Sequence, residues 1–195
     1  DNWFGVTIDA GTRPPRVASV EAESPAAKAG LSVGDKILRV NGSENDSFID
    51  LASQLVGVGK DRTIQFQIER NGKKLDRTVE LIPENAVFNA GLIRQKIGAI
   101  LERLTPEVAE ALRLDSTDGF VISQVDKDTP AAEANLRPGL VVTSIDGRKI
   151  DDIIDAARIF HSKKKGDEVT LNIVQMRQRG IFVRRSSAKL TLRLL

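Results

Sequence analysis

Two α+β domains of similar build, each of short strands and two helices, are predicted by three observations. First, Ser24-Pro-Ala-Ala-Lys-Ala-Gly-Leu-Ser-Val-Gly34 returns as Thr129-Pro-Ala-Ala-Glu-Ala-Asn-Leu-Arg-Pro-Gly139, at an offset of 105 residues. Second, the register holds onward: Ile37–Gly42 falls on Val142–Gly147, and the alternating run Thr63–Ile68 falls on Glu168–Ile173. Third, each copy switches between period-2 runs and a run of helical period, the signature of mixed strands and helices. A shared offset kept over such a length points to duplication, and copies of about 100 residues are domain-sized. We therefore expect domains at 1–85 and 90–195, with a boundary near Pro83–Leu92, where Asn85 and Asn89-Ala90-Gly91 break the strand pattern.

The elements follow in order. A short strand begins after a glycine in each copy, at Gly5–Ile8 and Gly98–Leu101, and a second runs over Arg16–Val20 and Gly119–Val125. Ser24 or Thr129 then supplies an N-cap, with Pro25 or Pro130 at the first helical position, where its missing N–H is harmless. Gly30 and Asn135 suit the left-handed end of that helix. Strand Lys36–Val40 leads into the Asn41-Gly42 turn. A longer helix follows at Ser47–Val56 and Asp152–His161, with Phe48, Leu51 and Leu55, or Ile153, Ala156 and Phe160, expected on its core face. Asn71-Gly72 marks a closing hairpin. The second copy adds a helix near 105–113, capped by Thr105 and opened by Pro106, and an extended hairpin near 176–187 carrying Arg177, Arg179, Arg184 and Arg185.

Composition narrows the function classes. The 195 residues contain no Cys, so disulfides, thiolate zinc sites and a Cys nucleophile are excluded. A single His, His161, rules out any site that needs two imidazoles. Net charge is +2, divided as −2 over residues 1–85 and +4 over 86–195, with no polybasic arm of the kind that binds nucleic acid. No apolar run approaches the roughly 18 residues of a membrane span. The start at Asp1 without Met or signal pattern is read as a mature or excised product. Serine hydrolysis needs a base held by a third group, and no Gly-x-Ser-x-Gly elbow accompanies the lone His. Carboxylate pairs such as Asp151-Asp152 read as helix-start charges. No catalytic residue, metal site or cofactor is expected.

Pro-Ala-Ala-x-Ala-Gly-Leu-x-x-Gly-Asp-x-Ile-Leu-x-Val-Asn-Gly at 25–42 resembles the PDZ core of bacterial HtrA/Deg-type, trypsin-like serine proteases. Ser47-Phe48-Ile49-Asp50-Leu51 resembles that family's second helix, and Leu104–Leu112 its extra helix. The second copy departs from the pattern at Asn135, Leu140 and Asp146. The resemblance implies two PDZ-like domains, each a partly open β-barrel or sandwich capped by two helices, that bind peptides by strand addition between an exposed strand edge and the second helix. It also implies a loop whose backbone N–H groups hold the peptide's terminal carboxylate. Trp3-Phe4-Gly5-Val6 is assigned this role in the first copy and Ile97, Gly98 and Ala99 in the second, with glycine giving the ligand close access. Pocket walls are expected from Phe4, Val6, Ile8, Ile49 and Ala52, and from Ile97, Ala99, Leu101, Ile154 and Ala157. Ala99 and Ile97 stand where Val6 and Phe4 stand, so the second groove is expected to be weaker or differently tuned.

The expected partners are protein or peptide C-termini and unfolded segments, with an attached or associated protease domain and a periplasmic, extracytoplasmic setting; nucleic acid and an integral membrane segment are not expected. The competing readings are a non-enzymatic scaffold or adaptor and the PDZ pair of a membrane-embedded protease or secretion component. His161, at a helix end, reads as a structural charge on the helix dipole. The arginine-rich hairpin reads first as a solvated loop, with docking to an acidic partner or membrane surface as the alternative.

Overall fold

Hydroxyl-Pro-Ala-Ala starts a one-turn helix in each half of the chain, and the sheets are built around that start. The computed structural model describes residues 1–56, 58 and 62–195 and divides them into two compact units, Asp1–Ala86 and Val87–Leu195. The first unit runs β1 (Asn2–Trp3), β2 (Val6–Asp9), β3 (Arg16–Val20), α1 (Pro25–Lys28), β4 (Lys36–Val40), β5 (Ser43–Glu44), α2 (Phe48–Val56), β6 (Thr63–Arg70), β7 (Lys73–Glu80) and β8 (Ile82–Pro83). Helix α3 (Glu84–Val87) crosses the boundary. The second unit runs α4 (Ala90–Ile97), β9 (Ala99–Arg103), α5 (Pro106–Ala111), β10 (Phe120–Val125), α6 (Pro130–Glu133), β11 (Val141–Ile145), β12 (Arg148–Lys149), α7 (Ile153–His161), β13 (Glu168–Arg179) and β14 (Phe182–Arg193).

In the first unit the strands order β2-β3-β4-β6-β7 with β5 on β4; in the second they order β14-β13-β11-β10-β9 with β12 on β11. Neither sheet closes into a barrel, so β2 and β9 stand at free edges. Period-2 alternation is visible where it drives folding: Ile64, Phe66 and Ile68 of β6, and Val169, Leu171 and Ile173 of β13, all point into cores. Ser24 and Thr129 cap as expected, their side chains accepting from Ala27 N–H and Ala132 N–H at 3.1 and 3.4 Å. The cap residues at the other ends are Ala29 and Ala134, and Gly30 (φ 80°) and Asn135 (φ 59°) follow them in the left-handed region. Thr105 caps α5, and the hairpin turns at Asn71-Gly72.

Four features depart from the sequence reading. The segment taken as a linker is helical: Asn89 caps α4 by accepting from Leu92 N–H at 3.2 Å, and Gly98 (φ 76°) ends it. With α4 and α5 added, the second unit has four helices among the described residues, where two capping helices and one inserted helix were expected. Trp3 pairs with Ile82 in an unforeseen two-strand ribbon, β1 with β8, that ties the first unit's ends together. Phe48, placed on the core face of α2, is 39% exposed, because Leu51 and Leu55 already fill that side of the helix.

Residues 1–86 and 87–195 are each expected to fold alone, since each holds its own sheet and core. Circular dichroism of the two fragments checks this; a fragment that stays unfolded while the whole chain folds contradicts it. Ending the first fragment at residue 81 is expected to weaken it, because β8 and its pairing with β1 are lost.

Candidate peptide-binding site

The first unit's loop is shaped by its own chain before any ligand arrives. Gly5 has φ 78°, and a methyl group built on it would overlap the Ser24 side chain. Glycine is therefore required by the approach of the Ser24 cap, a reason that the sequence did not show. The Phe4 carbonyl accepts from Ala26 N–H at 3.2 Å and the Gly5 carbonyl from Glu21 N–H at 2.8 Å. Both carbonyls are thus turned to the protein, and among the described residues the N–H groups of Phe4 and Gly5 have no acceptor. Adjacent unpaired N–H groups beside a free strand edge are the donors an anion needs.

The apolar surface next to that loop is partly open. Phe4 stacks on Phe66 with ring centroids 5.4 Å apart, and Phe4, Val6 and Ile8 are half-buried against a core that includes Leu51. Ala52 of α2 is half-buried and Ile49 is 74% exposed, so Ile49 projects into solvent. Val56, one helical face along from Ile49 and Ala52, is 86% exposed and was not foreseen; its i+7 spacing from Ile49 was the available signal. Trp3 is 5% exposed and offers a ligand almost no ring surface.

The second unit uses the same positions differently. Gly98 again packs against its cap residue, since a methyl group there would overlap Thr129. Its N–H, however, donates to the Arg94 carbonyl at 2.7 Å as the end of α4, and Ile97 lies inside the helix. Ile97, Ala99, Leu101 and Ala157 are all 0–1% exposed; Ile154 alone of the expected wall is half-buried. The other wall positions are buried within the unit. Helix α4 packs against both β9 and α7, with Ile93 fully buried.

Several contacts hold α4 there. Phe88 is 1% exposed, meets His161 edge-on at 5.2 Å, and carries the Arg158 guanidinium 4.4 Å above its ring. Arg94 grips Asp126 with two hydrogen bonds of 2.8 Å, and this contact holds the Asp126 carboxyl below the usual carboxylate range. Lys96 Nζ donates to the Lys163 carbonyl at 2.8 Å, and Leu195 N–H donates to the Lys96 carbonyl at 3.0 Å.

The one imidazole is packed against Phe88, there is no Cys, and among the described residues no group of three or more His, Asp or Glu side chains is arranged to hold a metal ion. Among the described residues no helix is long and apolar enough to cross a membrane.

The sequence profile of the PDZ domain matches residues 4–81 and again 97–179. The chain is 32% identical over 181 residues to a protein of Pseudomonas putida (strain F1) named "Probable periplasmic serine endoprotease DegP-like", covering 88% of this chain and 37% of that protein. A protein of the same name from Bartonella henselae is 29% identical over 198 residues, covering 93% and 39%. Among solved structures it is similar to the serine endoprotease from Yersinia pestis, at 31% identity and TM-score 0.36 over 41% of this chain and 28% of that one. The chain thus spans well under half the length of the curated relatives it matches. Duplicated cores, free edges at β2 and β9, and two separate profile matches agree: the chain belongs to the PDZ domain family, as a tandem pair.

Proposed function

We propose that the first unit captures the C-terminal residues of peptides and unfolded segments as an added strand on β2. The single observation that carries this reading is the pair of unpaired N–H groups at Phe4 and Gly5 beside a half-open apolar wall. In this reading the carboxylate sits on the N–H groups of Phe4, Gly5 and Val6. The terminal side chain lies against Phe4, Val6 and Ile8, flanked by Ala52 and Ile49 of α2. The second groove is closed by α4 and contributes little binding in the resting chain. Its closure is a stronger form of the asymmetry that Ala99 and Ile97 suggested. Because the matched relatives bear the name of periplasmic serine endoproteases, we assign the pair to the substrate-recognition or regulatory part of such an enzyme, working outside the cytoplasm.

Calorimetry of the whole chain with one peptide as free acid and as C-terminal amide tests the capture. The acid is expected to bind in the micromolar range and the amide at least about tenfold more weakly, since hydrogen bonds to a charged acceptor are lost. Equal affinities would move the ligand from C-termini to internal segments.

A further inference from the structure

The hairpin of β13 and β14 runs on beyond the point where its counterpart turns. In the first unit the chain reverses at Asn71-Gly72; at the matching position, Met176-Arg177, the second unit continues to Gly180-Ile181. Gly180 (φ 63°) makes a two-residue turn, so Ile181 stands at the extreme end. Ile181, Phe182 and Val183 are 90%, 74% and 45% exposed. Nothing in the fold requires apolar groups there.

Charge is arranged behind that tip. Residues 176–187 contain four arginines and no acidic residue. Arg177 faces Arg184 directly across the ladder, a like-charge pairing that destabilises a hairpin in isolation. Among the described residues none of the four meets a carboxylate. Such a pairing is relieved by an anion shared between the two guanidiniums. The order along the hairpin is therefore apolar first, then cations from one to four residues back, at about 3.3 Å per residue. That spacing fits a lipid interface, where apolar groups sink about 5–10 Å and anionic headgroups sit just outside them. An acidic protein surface would match the arginines but give the leading Ile181 and Phe182 no apolar layer to enter.

We propose that the β13–β14 tip anchors this chain to an anionic lipid surface. Co-sedimentation of the whole chain with phosphatidylcholine vesicles, with and without phosphatidylglycerol, tests it. Binding is expected to the anionic vesicles only and to be released at about 1 M salt, where charges are screened within ~3 Å. R177Q with R184Q is expected to lower the partition by roughly 25-fold, at about fivefold per arginine. I181S with F182S is expected to abolish most of the remainder, with circular dichroism unchanged because these side chains are exposed. Equal binding to both vesicles, or to neither, overturns the proposal on the unmodified chain alone. Binding that survives I181S/F182S, or that appears only on polyglutamate, overturns it in favour of an acidic macromolecule.

Discussion

Asp35→Ala is expected to cost the first unit about 2–3 kcal/mol, the usual loss of hydrogen bonds to a buried charged acceptor, with Arg70 left behind partly in solvent. Asp35 is 1% exposed and takes two hydrogen bonds from Arg70, of 2.7 and 2.8 Å, and a third from Ser32 N–H at 2.8 Å. Arg70 also reaches the Gly30 carbonyl at 2.8 Å, so the pair fastens the turn after α1 to the end of β6. The second copy shows how the fold does without it. At the 105-residue offset Asp35 becomes Leu140, which is buried, and Arg70 becomes Gln175. The double replacement Asp35→Leu with Arg70→Gln is therefore expected to recover stability to within about 1–2 kcal/mol of the original, since an apolar isostere removes the cost of burying the charge. Trp3 is the only tryptophan and lies in the first unit's β1–β8 ribbon, so its fluorescence during urea unfolding of the whole chain reports this unit selectively. A loss below about 1 kcal/mol for Asp35→Ala would mean that Arg70 and Ser32 find other partners without cost.

Phe88→Ala is the second large effect. Deleting a fully buried phenylalanine leaves a cavity and is expected to destabilise the second unit by about 3–5 kcal/mol. Its more specific consequence concerns α4. With the Phe88 ring gone, the contacts to His161 and Arg158 vanish, and α4 is left with Ile93, Ile97, the Arg94–Asp126 pair and the Lys96 hydrogen bonds. Amide exchange over residues 90–97 is then expected to rise well above that of β11 and β13, which form the centre of the sheet. Unchanged relative protection of α4 would show that its remaining contacts hold the helix irrespective of Phe88.

The sequence was most legible where local chemistry dictates geometry. Ser24 and Thr129 followed by proline have one natural use, as do Asn41-Gly42 and Asn71-Gly72, and all appear as read. The duplicated register carried the strand assignments from one copy to the other. Legibility failed where the decisive partner is distant or where two local readings compete. β1 and β8 are two-residue strands with no periodicity of their own, joined only because residues 2–3 meet 82–83. In α4 the cap Asn89 and the i, i+4 pair Ile93 and Ile97 were present, but Gly98-Ala99 also matched a ligand loop. One glycine serves both readings, and the structure uses it as a helix end whose N–H is already bonded. Whether a groove residue is open or buried depends on what packs over it, which no repeat within the chain records: Val6 and Ala99 are equivalent by register, yet half-buried and buried respectively.

The most direct test of the division of labour between the two copies is amide chemical-shift mapping of the whole chain during titration with a free C-terminal peptide. Saturable shifts are expected at the N–H groups of Phe4, Gly5 and Val6 and along β2 and α2, while Gly98, Ala99 and β9 stay in place. Shifts led by Gly98 and Ala99, with Phe4 and Gly5 silent, would contradict the account, because they would require the Gly98 N–H to leave the Arg94 carbonyl for a ligand while the unpaired donors of the first copy went unused.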